Sequence, residues 1–399
     1  SDTLETHAPL TFIGTVDVVA SGRIDCNGGE IQILNQFDSN VNFESAACDI
    51  NLGSNGNLIL PVSGYIWRET TITIGANSQL EFSGSSLELI LGSNFVWNSG
   101  LVISDAASIL QLRDSNLEVN SLSATLSSAV VAIDSTITTT ESVIFDNELN
   151  TEGTILMLTG SSDFSGAVSL VSSEFFQVDG DVTFLSTLDV TGGTFDAAAN
   201  SNFADIVLIT TGADVTSAGF INLFGCDVEL QASSLASTGL FLQNLSSFTA
   251  SSGSTSLFNG ICDLADGAVS AFGSLLSLGE LQNMQPSAII AATDSGTIEF
   301  TGGGIIAGSL DANNAEIKVL TPPGSTLVFS SSCTLTLEDG AVLRIEGDSR
   351  LENGMTISPH GTSSVTVLIV TGVLFVEFDM EFTAMRVLGM TGGELLVTT

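Results

Sequence analysis

The residues of this chain that could do acid–base chemistry are few and widely separated. The candidates are two histidines, His7 and His360, and the closest pair of aspartates, Asp179 and Asp181, on either side of Gly180. Hydrolysis of a glycosidic bond needs two carboxylates that flank the scissile bond. The chain has no two adjacent aspartates, and neither histidine is near Asp179 and Asp181 in sequence. We therefore interpret the Asp-Gly-Asp segment as a turn and predict that the protein is not an enzyme.

Charge is unusually one-sided. The chain has 45 acidic residues against seven basic ones, which gives a formal net charge of −38. The basic residues are scattered along the sequence: Arg23, Arg68, Arg113, Lys318, Arg344, Arg350 and Arg386. Nucleic acid and anionic lipid are attracted by clustered Lys and Arg, so we expect neither as a partner. We predict no resident cofactor or metal; the acidic surface would serve for repulsion or for bridging by Ca²⁺.

One short segment has residues that could bind sugar. In "YIWR", Tyr65 and Trp67 fall on the same side of a predicted strand, and Arg68 follows directly. Aromatic rings of this kind can stack on a sugar, with the guanidinium beside them. The same alternation fits a strand of the core or of an interface, and both interpretations stay open.

The cysteines suggest one disulfide. The spacing of Cys26 and Cys48 is about one repeat of the chain, so stacking would bring them within disulfide range. The alternative is that all five cysteines are small buried residues. The phrase Cys-Asp-apolar occurs three times and is a candidate for one recurring corner: it begins at Cys48, Cys226 and Cys262.

Two further motifs concern the surface. Asn244-Leu245-Ser246 is a possible glycosylation acceptor. Threonines alternate in "TITIG" (71–75) and "TITTT" (136–140), as on a flat ice-binding face. Successive repeats do not continue the threonine pattern, so we do not favour that function.

Short alternating triplets of apolar residues run along the chain and predict strands instead of helices. They recur on average about every 23 residues and include Leu80–Phe82, Leu110–Leu112, Val131–Ile133, Leu156–Leu158, Phe176–Val178 and Phe195–Ala197. Such a period, with Gly-, Ser- and Asp-rich turns between the strands, is typical of a solenoid.

The predicted fold is all-β: a parallel, right-handed β-helix solenoid with about 23 residues per coil. We predict one domain over residues 1–399, with 1–10 as a possible N-terminal cap. The 23 phenylalanines would stack inside, and Ser, Thr and Asp would face outward. An array of β-sandwiches is the alternative, although hairpin signals are irregular.

The sequence pattern of the whole chain resembles that of bacterial surface β-helices, namely polymorphic outer-membrane proteins and autotransporter passengers. The similar tetrapeptides are "SGAV" (165–168), "DGAV" (266–269 and 339–342), "FDSN" (37–40), "FVWN" (95–98) and "FLQN" (241–244). The first glycine of the family's Gly-Gly-Ala motif is replaced each time. The resemblance implies an adhesive or structural role at the cell exterior.

The sequence favours a structural function. "MTGGELLVTT" (390–399) reads as a strand without a polar cap, so we expect further chain or another molecule to cover that edge. The apolar run 365–376 is too short for membrane insertion. We predict a secreted or cell-surface solenoid that assembles head to tail into a filament or acts as an adhesive rod. The alternative is a carbohydrate-binding or carbohydrate-cleaving β-helix whose partner is a surface glycan.

Overall fold

The computed structural model describes most of the chain from residue 64 onward and isolated strands before it. The described ranges are 3–6, 10–13, 23–26, 30–34, 44–46, 49–52, 57–59, 64–69, 71–75, 79–99, 101–121, 124–205, 207–338, 340–352, 356–360, 366–371, 373–376, 385–387 and 394–397. The chain divides into two compact units, unit 1 (Ser1–Ala198) and unit 2 (Ala199–Thr399). Each unit is described below by itself, and the expectation of a single domain stays a prediction.

The described part of unit 1 consists of short strands. They are β1 (Thr3–Thr6), β2 (Leu10–Ile13), β3 (Arg23–Cys26), β4 (Glu30–Leu34), β5 (Glu44–Ala46), β6 (Asp49–Leu52), β7 (Asn57–Ile59), β8 (Gly64–Arg68), β9 (Thr71–Ile74), β10 (Gln79–Glu81), β11 (Ser86–Ile90), β12 (Asn94–Trp97), β13 (Leu101–Ile103), β14 (Ile109–Arg113), β15 (Asn116–Val119), β16 (Ala124–Leu126), β17 (Ala129–Ile133), β18 (Thr136–Thr139), β19 (Val143–Phe145), β20 (Leu149–Glu152), β21 (Ile155–Leu158), β22 (Ser162–Phe164), β23 (Val168–Val171), β24 (Glu174–Gln177), β25 (Val182–Phe184), β26 (Leu188–Thr191) and β27 (Thr194–Ala197).

Unit 2 continues with strands of more variable length. They are β28 (Ser201–Phe203), β29 (Val207–Thr210), β30 (Asp214–Phe224), β31 (Asp227–Gln231), β32 (Ser234–Gln243), β33 (Ser247–Ser251), β34 (Thr255–Leu264), β35 (Ala268–Phe272), β36 (Leu275–Gln282), β37 (Ile289–Thr293), β38 (Thr297–Phe300), β39 (Gly304–Ile306), β40 (Ser309–Asn313), β41 (Glu316–Val319), β42 (Thr326–Phe329), β43 (Thr334–Glu338), β44 (Val342–Ile345), β45 (Asp348–Leu351), β46 (Thr356–His360), β47 (Thr366–Val370), β48 (Val373–Val376), β49 (Met385–Val387) and β50 (Glu394–Val397).

Strands that hold the same place in successive coils pair with one another, and the described pairings are parallel. In unit 1 the first face contains β8, β11, β14, β17, β20, β23 and β26, the second face contains β9, β12, β15, β18, β21, β24 and β27, and the third face contains β10, β13, β16, β19, β22 and β25. In unit 2 the first face runs from β29 through β31, β33, β35, β37, β40 and β43 to β46. The fold is therefore the predicted all-β parallel solenoid, and antiparallel β-sandwiches are excluded.

The coils are shorter than the sequence pattern suggested. The solenoid has about 14 turns with a spacing of about 20 residues. The predicted triplets did not all belong to one face: Leu80 is on the third face, Leu110 on the first and Leu156 on the second. Steps between them therefore included an extra strand, which inflated the mean spacing. The handedness of the coil stays a prediction.

Stacked rings fill much of the interior of unit 1, as predicted, whereas Phe224 and Phe272 of unit 2 are 57% and 43% exposed, so the prediction that all phenylalanines stack inside was wrong. In unit 1 the rings of Phe145, Phe164 and Phe184 lie parallel, with centroids 4.9 Å apart at each step. Phe175 and Phe195 form a second stack at 4.5 Å. These spacings match the distance between neighbouring strands, so each ring contacts the same ring of the next coil. The stacked rings therefore repeat with the same spacing as the hydrogen-bonded strands.

The predicted phase of the alternation was wrong at two triplets. In β17 the buried side chains are Val130 and Ala132, and the predicted core residue Val131 faces outward. In β24 Phe175 is buried, while Val178, just beyond the strand, is 52% exposed. In β17 both sides are apolar, so alternation alone cannot tell which side faces the core. In β24 the covered side carries Phe175 and the polar Gln177, so alternation points to the wrong side.

A buried column of hydroxyl groups follows the corner between the first and second faces of unit 1. The chain turns there at residues with positive φ, including Asp114 (φ 47°) and Asp134 (φ 49°), a conformation that Asp tolerates better than most residues. The next residue is a buried Ser or Thr in several coils: Ser115, Ser135, Thr154 and Ser173. Ser135 Oγ donates to Ile133 O at 2.7 Å and accepts from Ser115 N at 3.3 Å. These hydroxyls therefore satisfy backbone groups that the turn removes from the strand ladder.

In unit 2 a column of glycines forms the corner between the second and third faces. Strands β30, β32, β34 and β36 run through this corner without a break, and the register shifts there. A Cβ on Gly260 would lie 2.2 Å from Thr238 O, and one on Gly279 would lie 2.1 Å from Gly260 O. Only glycine allows the backbones of neighbouring coils to approach this closely.

The ends of the chain are described only as backbone. Residues 3–6 form β1, which pairs with β3, and residues 394–397 form β50, which pairs with β48. The proposed cap at 1–10 and the proposed uncapped edge at 390–399 stay predictions, since half of the first segment and most of the second lie outside the described residues.

Candidate functional site

The predicted aromatic platform is not a surface feature. Trp67 is fully buried, at 0% exposure, and pairs in register with the buried Leu89 of the next coil. Its ring packs in the core and cannot stack on a sugar, so this part of the sugar-binding prediction was wrong. Arg68 follows it on the opposite side of β8 and is half-buried. Tyr65 belongs to the same strand, and its side chain lies outside the described residues.

The described register does not support a disulfide between Cys26 and Cys48. Arg23 pairs with Asp49 and Asp25 with Asn51, so this coil is longer than the spacing of the two cysteines. Continued by one residue, the same register sets Cys26 opposite Leu52, the last residue of β6. The prediction assumed a coil as long as the cysteine spacing, which differs from the described register at β3 and β6. Cys48 itself lies outside the described residues, so the disulfide stays a prediction.

The other three cysteines are free thiols in the core. Burial raises the pKa of the Cys226 thiol to about 11 and the pKa of both Cys262 and Cys333 to about 12. Their thiolates, which are the reactive forms, are therefore disfavoured at neutral pH. The Cys-Asp-apolar phrase does not mark one corner, because Cys226 precedes a first-face strand while Cys262 lies within β34.

The described candidate acid–base residues belong to different elements, one pair in unit 1 and one histidine in unit 2. Asp179 and Asp181 lie on either side of Gly180 (φ 76°), and Asp179 Oδ1 accepts a hydrogen bond from Gly180 N at 2.8 Å, which confirms the predicted turn. His360 was expected in a turn but is the last residue of β46, paired with Glu338. His7 lies outside the described residues.

Asn244 lies where a modified asparagine could be reached. It is exposed, in a turn with φ 55°, beside Leu245, which is 79% exposed. Ser246 of the same motif is buried, and its hydroxyl donates to Gln243 O at 2.6 Å. The acceptor asparagine is accessible, while the serine is held in the fold; glycosylation stays a prediction.

A concavity lies on the second face of unit 1. It has a volume of about 340 Å³ and is lined by residues of β9, β12, β15 and β18, including the core residues Phe95 and Leu117. We call this surface the amide trough and define it by Thr71, Asn94, Val96, Asn116, Glu118, Thr136 and Thr138. Register places Thr71, Asn94, Asn116 and Thr136 in one column across four coils. The two threonine segments of the sequence therefore belong to the same surface, with asparagine between them.

Hydrogen bonds between coils fix the amides at this surface. Asn116 Nδ2 donates to Asn94 Oδ1 at 2.8 Å. Beside the trough, Asn120 Nδ2 donates to Asn98 Oδ1 at 3.2 Å and to Glu118 Oε1 at 2.6 Å. Thr140 Oγ1 then donates to Asn120 Oδ1 at 3.0 Å, which extends this row to a third coil.

A sequence signal for the amide trough exists but was overlooked. "NFVWN" (94–98) and "NLEVN" (116–120) both have the pattern Asn-x-x-x-Asn. Because alternate residues of a strand share a face, both asparagines of each segment point outward together. Only the register shows that the two segments are neighbours in the stack.

Large apolar side chains adjoin the amide trough in the next coils. Thr136 pairs with Ile155, and Thr138 pairs with Met157. Ile155 is 38% and Met157 is 44% exposed, and the half-buried Phe176 lies beside Met157. The amide trough is therefore bordered at this end by partly exposed apolar side chains.

Several cations of the described region pair with glutamates of neighbouring coils. Arg113 Nε lies 3.1 Å from Glu88 Oε1. On the second face of unit 2, Lys318 Nζ lies 3.1 Å from Glu299 Oε1, and Arg344 Nε lies 2.9 Å from Glu316 Oε1. Desolvation opposes the charge on Lys318, but its hydrogen bond to Glu299 and its attraction to Glu316 raise its pKa overall. These cations link coils to one another.

A second cavity, of about 460 Å³, lies in unit 2 beside the glycine corner. Its lining includes Gly260, Gly279, Gly302, Glu280 and Ser325. A Cβ at any of these three glycines would meet backbone atoms of a neighbouring coil within 2.6 Å. The glycines are therefore explained by the packing of the coils.

The described residues give two further results. No three His, Cys, Asp or Glu side chains among them come together in a group that could hold a metal ion. Nor do they include a helix that is long and apolar enough to span a membrane.

Comparison of the chain with protein-family models, curated proteins and solved structures gives no match.

Proposed function

We propose that this protein is a secreted or cell-surface structural β-solenoid that joins copies of itself end to end and does not turn over a substrate. The observation that supports this proposal is the parallel, in-register stacking of successive coils. In such a stack one edge offers the hydrogen-bonding pattern that the opposite edge accepts. Two copies can then pair head to tail in a contact that does not close, which generates a filament.

The charge distribution favours end-to-end over side-by-side contact. The net charge is −38, and the described ion pairs hold Arg113, Lys318 and Arg344 against glutamates of the same molecule. Two acidic sides repel each other at low ionic strength, and the repulsion weakens as salt screens it. Ca²⁺ ions would allow lateral bundling by bridging carboxylates of two copies.

The exterior location and the adhesive role rest on the resemblance to bacterial surface β-helices. A protein displayed at the cell surface without self-assembly would use the same lateral faces for adhesion. Carbohydrate cleavage has no further support, because Trp67 is buried and Asp179 and Asp181 belong to a turn of unit 1.

Electron microscopy and sedimentation velocity of the purified full chain test this proposal at low and high salt, with and without a calcium chelator. We expect fibres that form in a concentration-dependent manner, and bundles of fibres that Ca²⁺ promotes and the chelator disperses. A monomer at every concentration and salt would reject self-assembly. Turnover of any polysaccharide by the purified chain would reject the structural role.

A further inference from the structure

We propose that the amide trough binds a short, extended, uncharged oligosaccharide. The proposal goes beyond the structural role, since a solenoid can assemble whether or not one of its faces holds a ligand. It also differs from the aromatic platform predicted at Trp67, because it places the ligand on the second face of unit 1.

The chemistry of the lining matches a polyhydroxylated ligand. Carboxamides offer both donors and acceptors, threonine hydroxyls offer one donor and two acceptor positions, and Glu118 offers acceptors. A sugar ring presents hydroxyl groups that both donate and accept. Binding sites for small ligands generally combine such converging polar groups with apolar surface. Ile155, Met157 and Phe176 supply that apolar surface at one end of the amide trough.

The amides are oriented before any ligand arrives. Asn116 is bonded to Asn94 and Asn120 to Asn98, each across one coil. The bond from Asn116 to Asn94 uses one donor and one acceptor of that pair, so each of these two amides keeps hydrogen-bonding capacity for a ligand. Asn120 instead uses both its amide hydrogens, on Asn98 and Glu118, and serves to orient Glu118. Because the side chains are already ordered, a ligand loses less affinity to the freezing of rotamers than at a mobile polar surface.

The length of the amide trough favours an oligosaccharide over a single sugar. It spans the four strands β9, β12, β15 and β18. With neighbouring coils about 4.8 Å apart, the column from Thr71 to Thr136 is about 14 Å long. A ligand laid along the column meets a new hydroxyl or amide group at each coil.

Charge selects against anionic ligands. Among the seven side chains that define the amide trough only Glu118 is charged, and the whole chain carries −38. A uronic acid polymer or a phosphate group would be repelled. Glu118 already accepts a hydrogen bond from Asn120, so its role toward a neutral ligand is that of an oriented acceptor.

Calorimetric titration of the full chain tests the proposal with hexasaccharides of β-1,4-linked glucose, xylose and mannose, and with hexagalacturonate as the anionic probe. We expect at least one neutral hexasaccharide to bind with a Kd of about 1 mM or below, and hexagalacturonate to bind about tenfold more weakly or not at all. Binding of none of the three neutral probes would overturn the proposal.

A double variant, Asn94→Ala with Asn116→Ala, locates the site. We expect it to weaken binding of the neutral probe about tenfold or more, because two oriented amides are lost. The matched control is Asn150→Ala, which removes a half-buried asparagine from the first face of unit 1 and should change the Kd less than about twofold. Circular dichroism melting of both variants checks that each still folds. Unchanged affinity in a folded double variant would overturn the assignment.

Glu118→Gln separates a neutral ligand from a cationic one. Glutamine keeps an acceptor oxygen and removes the charge, so we expect affinity for the neutral hexasaccharide to stay within about threefold of wild type. Titration with spermine serves as the comparison. Tighter binding of spermine than of every sugar, abolished by Glu118→Gln, would overturn the proposal in favour of a cation site.

Discussion

The corner between the second and third faces is built in two ways. In unit 1 the strands stop and a polar turn separates them, as between β18 and β19. In unit 2, strands β30 to β36 of these faces pass through the corner and bend at glycine. The buried column that follows the corner differs as well: it is Phe145, Phe164 and Phe184 in unit 1, and Leu223, Leu242 and Leu264 in unit 2.

Corner and core differ together in these coils. The stacked rings of Phe145, Phe164 and Phe184 lie behind polar turns, and the leucines lie behind the glycine corner. The relation is not strict, because Leu126, Ile306 and Leu351 are buried on the third face behind turns in other coils. The glycine corner itself is the stricter of the two, since it brings neighbouring backbones within contact distance of any Cβ.

The largest effect is expected in the aromatic stack. Phe164→Ala removes a fully buried ring that contacts Phe145 and Phe184, each at 4.9 Å. The lost burial and the cavity should lower the free energy of unfolding by about 4 kcal/mol, measured by guanidinium denaturation. Ile144→Ala, on the outward side of β19, should cost less than about 1 kcal/mol. Similar costs for both variants would contradict a stack-filled core.

The glycine corner should be the next most sensitive feature. Gly279→Ala would set a Cβ 2.1 Å from Gly260 O, so the coils must separate, at a cost of about 3 kcal/mol. The control is Gly253→Ala, where no atom lies within 4 Å and only the positive φ of 79° is unfavourable. That strain should cost about 1 kcal/mol. Equal melting temperatures for the two variants would show that the corner accommodates a Cβ at position 279 without the predicted cost.

Buried thiols give unit 2 a dependence on alkaline pH. The ordinary thiol pKa is 9.0, and burial raises that of Cys262 to about 12. Between these values the unfolded chain loses the proton while the folded chain keeps it, so stability falls as pH rises. The loss is about 1.4 kcal/mol per pH unit for one thiol.

Cys262→Ala removes this contribution. Guanidinium denaturation at about pH 8 and pH 10.5 should show a smaller loss of stability in the variant than in the wild type, by about 2 kcal/mol. The comparison is made as a difference between the two pH values, so the constant cost of the missing sulfur cancels. Identical pH dependence in both proteins would contradict a protonated thiol in the folded core.

The fold was predictable because stacking repeats one simple pattern. Alternating triplets such as Leu110–Leu112 and Leu156–Leu158 are buried as expected, and the abundance of Phe over Tyr predicted a dry interior. The phase failed at Val131, where both sides of the strand are apolar, and at Val178, where the covered side includes the polar Gln177. The sequence contains no measure of which side is covered when hydrophobicity is equal on both.

The site was less predictable, since it depends on register. The amide trough combines Asn94 and Asn116, which pair across one coil, whereas the coil that leads from Arg23 to its partner Asp49 is longer. Without coil lengths, the columns cannot be assembled. The same limit explains the proposed disulfide at Cys26, which assumed a constant period. Hydroxyl residues were assigned to the exterior as a class, which overlooked the buried column that contains Ser135.

That buried column gives the smallest predicted effect and a further contrast with the glycine corner. Ser135→Ala removes the acceptor for Ser115 N and the donor to Ile133 O, while the small side chain changes packing little. We expect a loss of about 1 kcal/mol in unfolding free energy and faster hydrogen exchange at the Ser115 amide. Ser169→Ala, on the outward first face, should change stability by less than about 0.5 kcal/mol. If exchange at Ser115 is unchanged, the backbone of this corner is held by the strands alone, and the hydroxyl column fills space without fixing the turn.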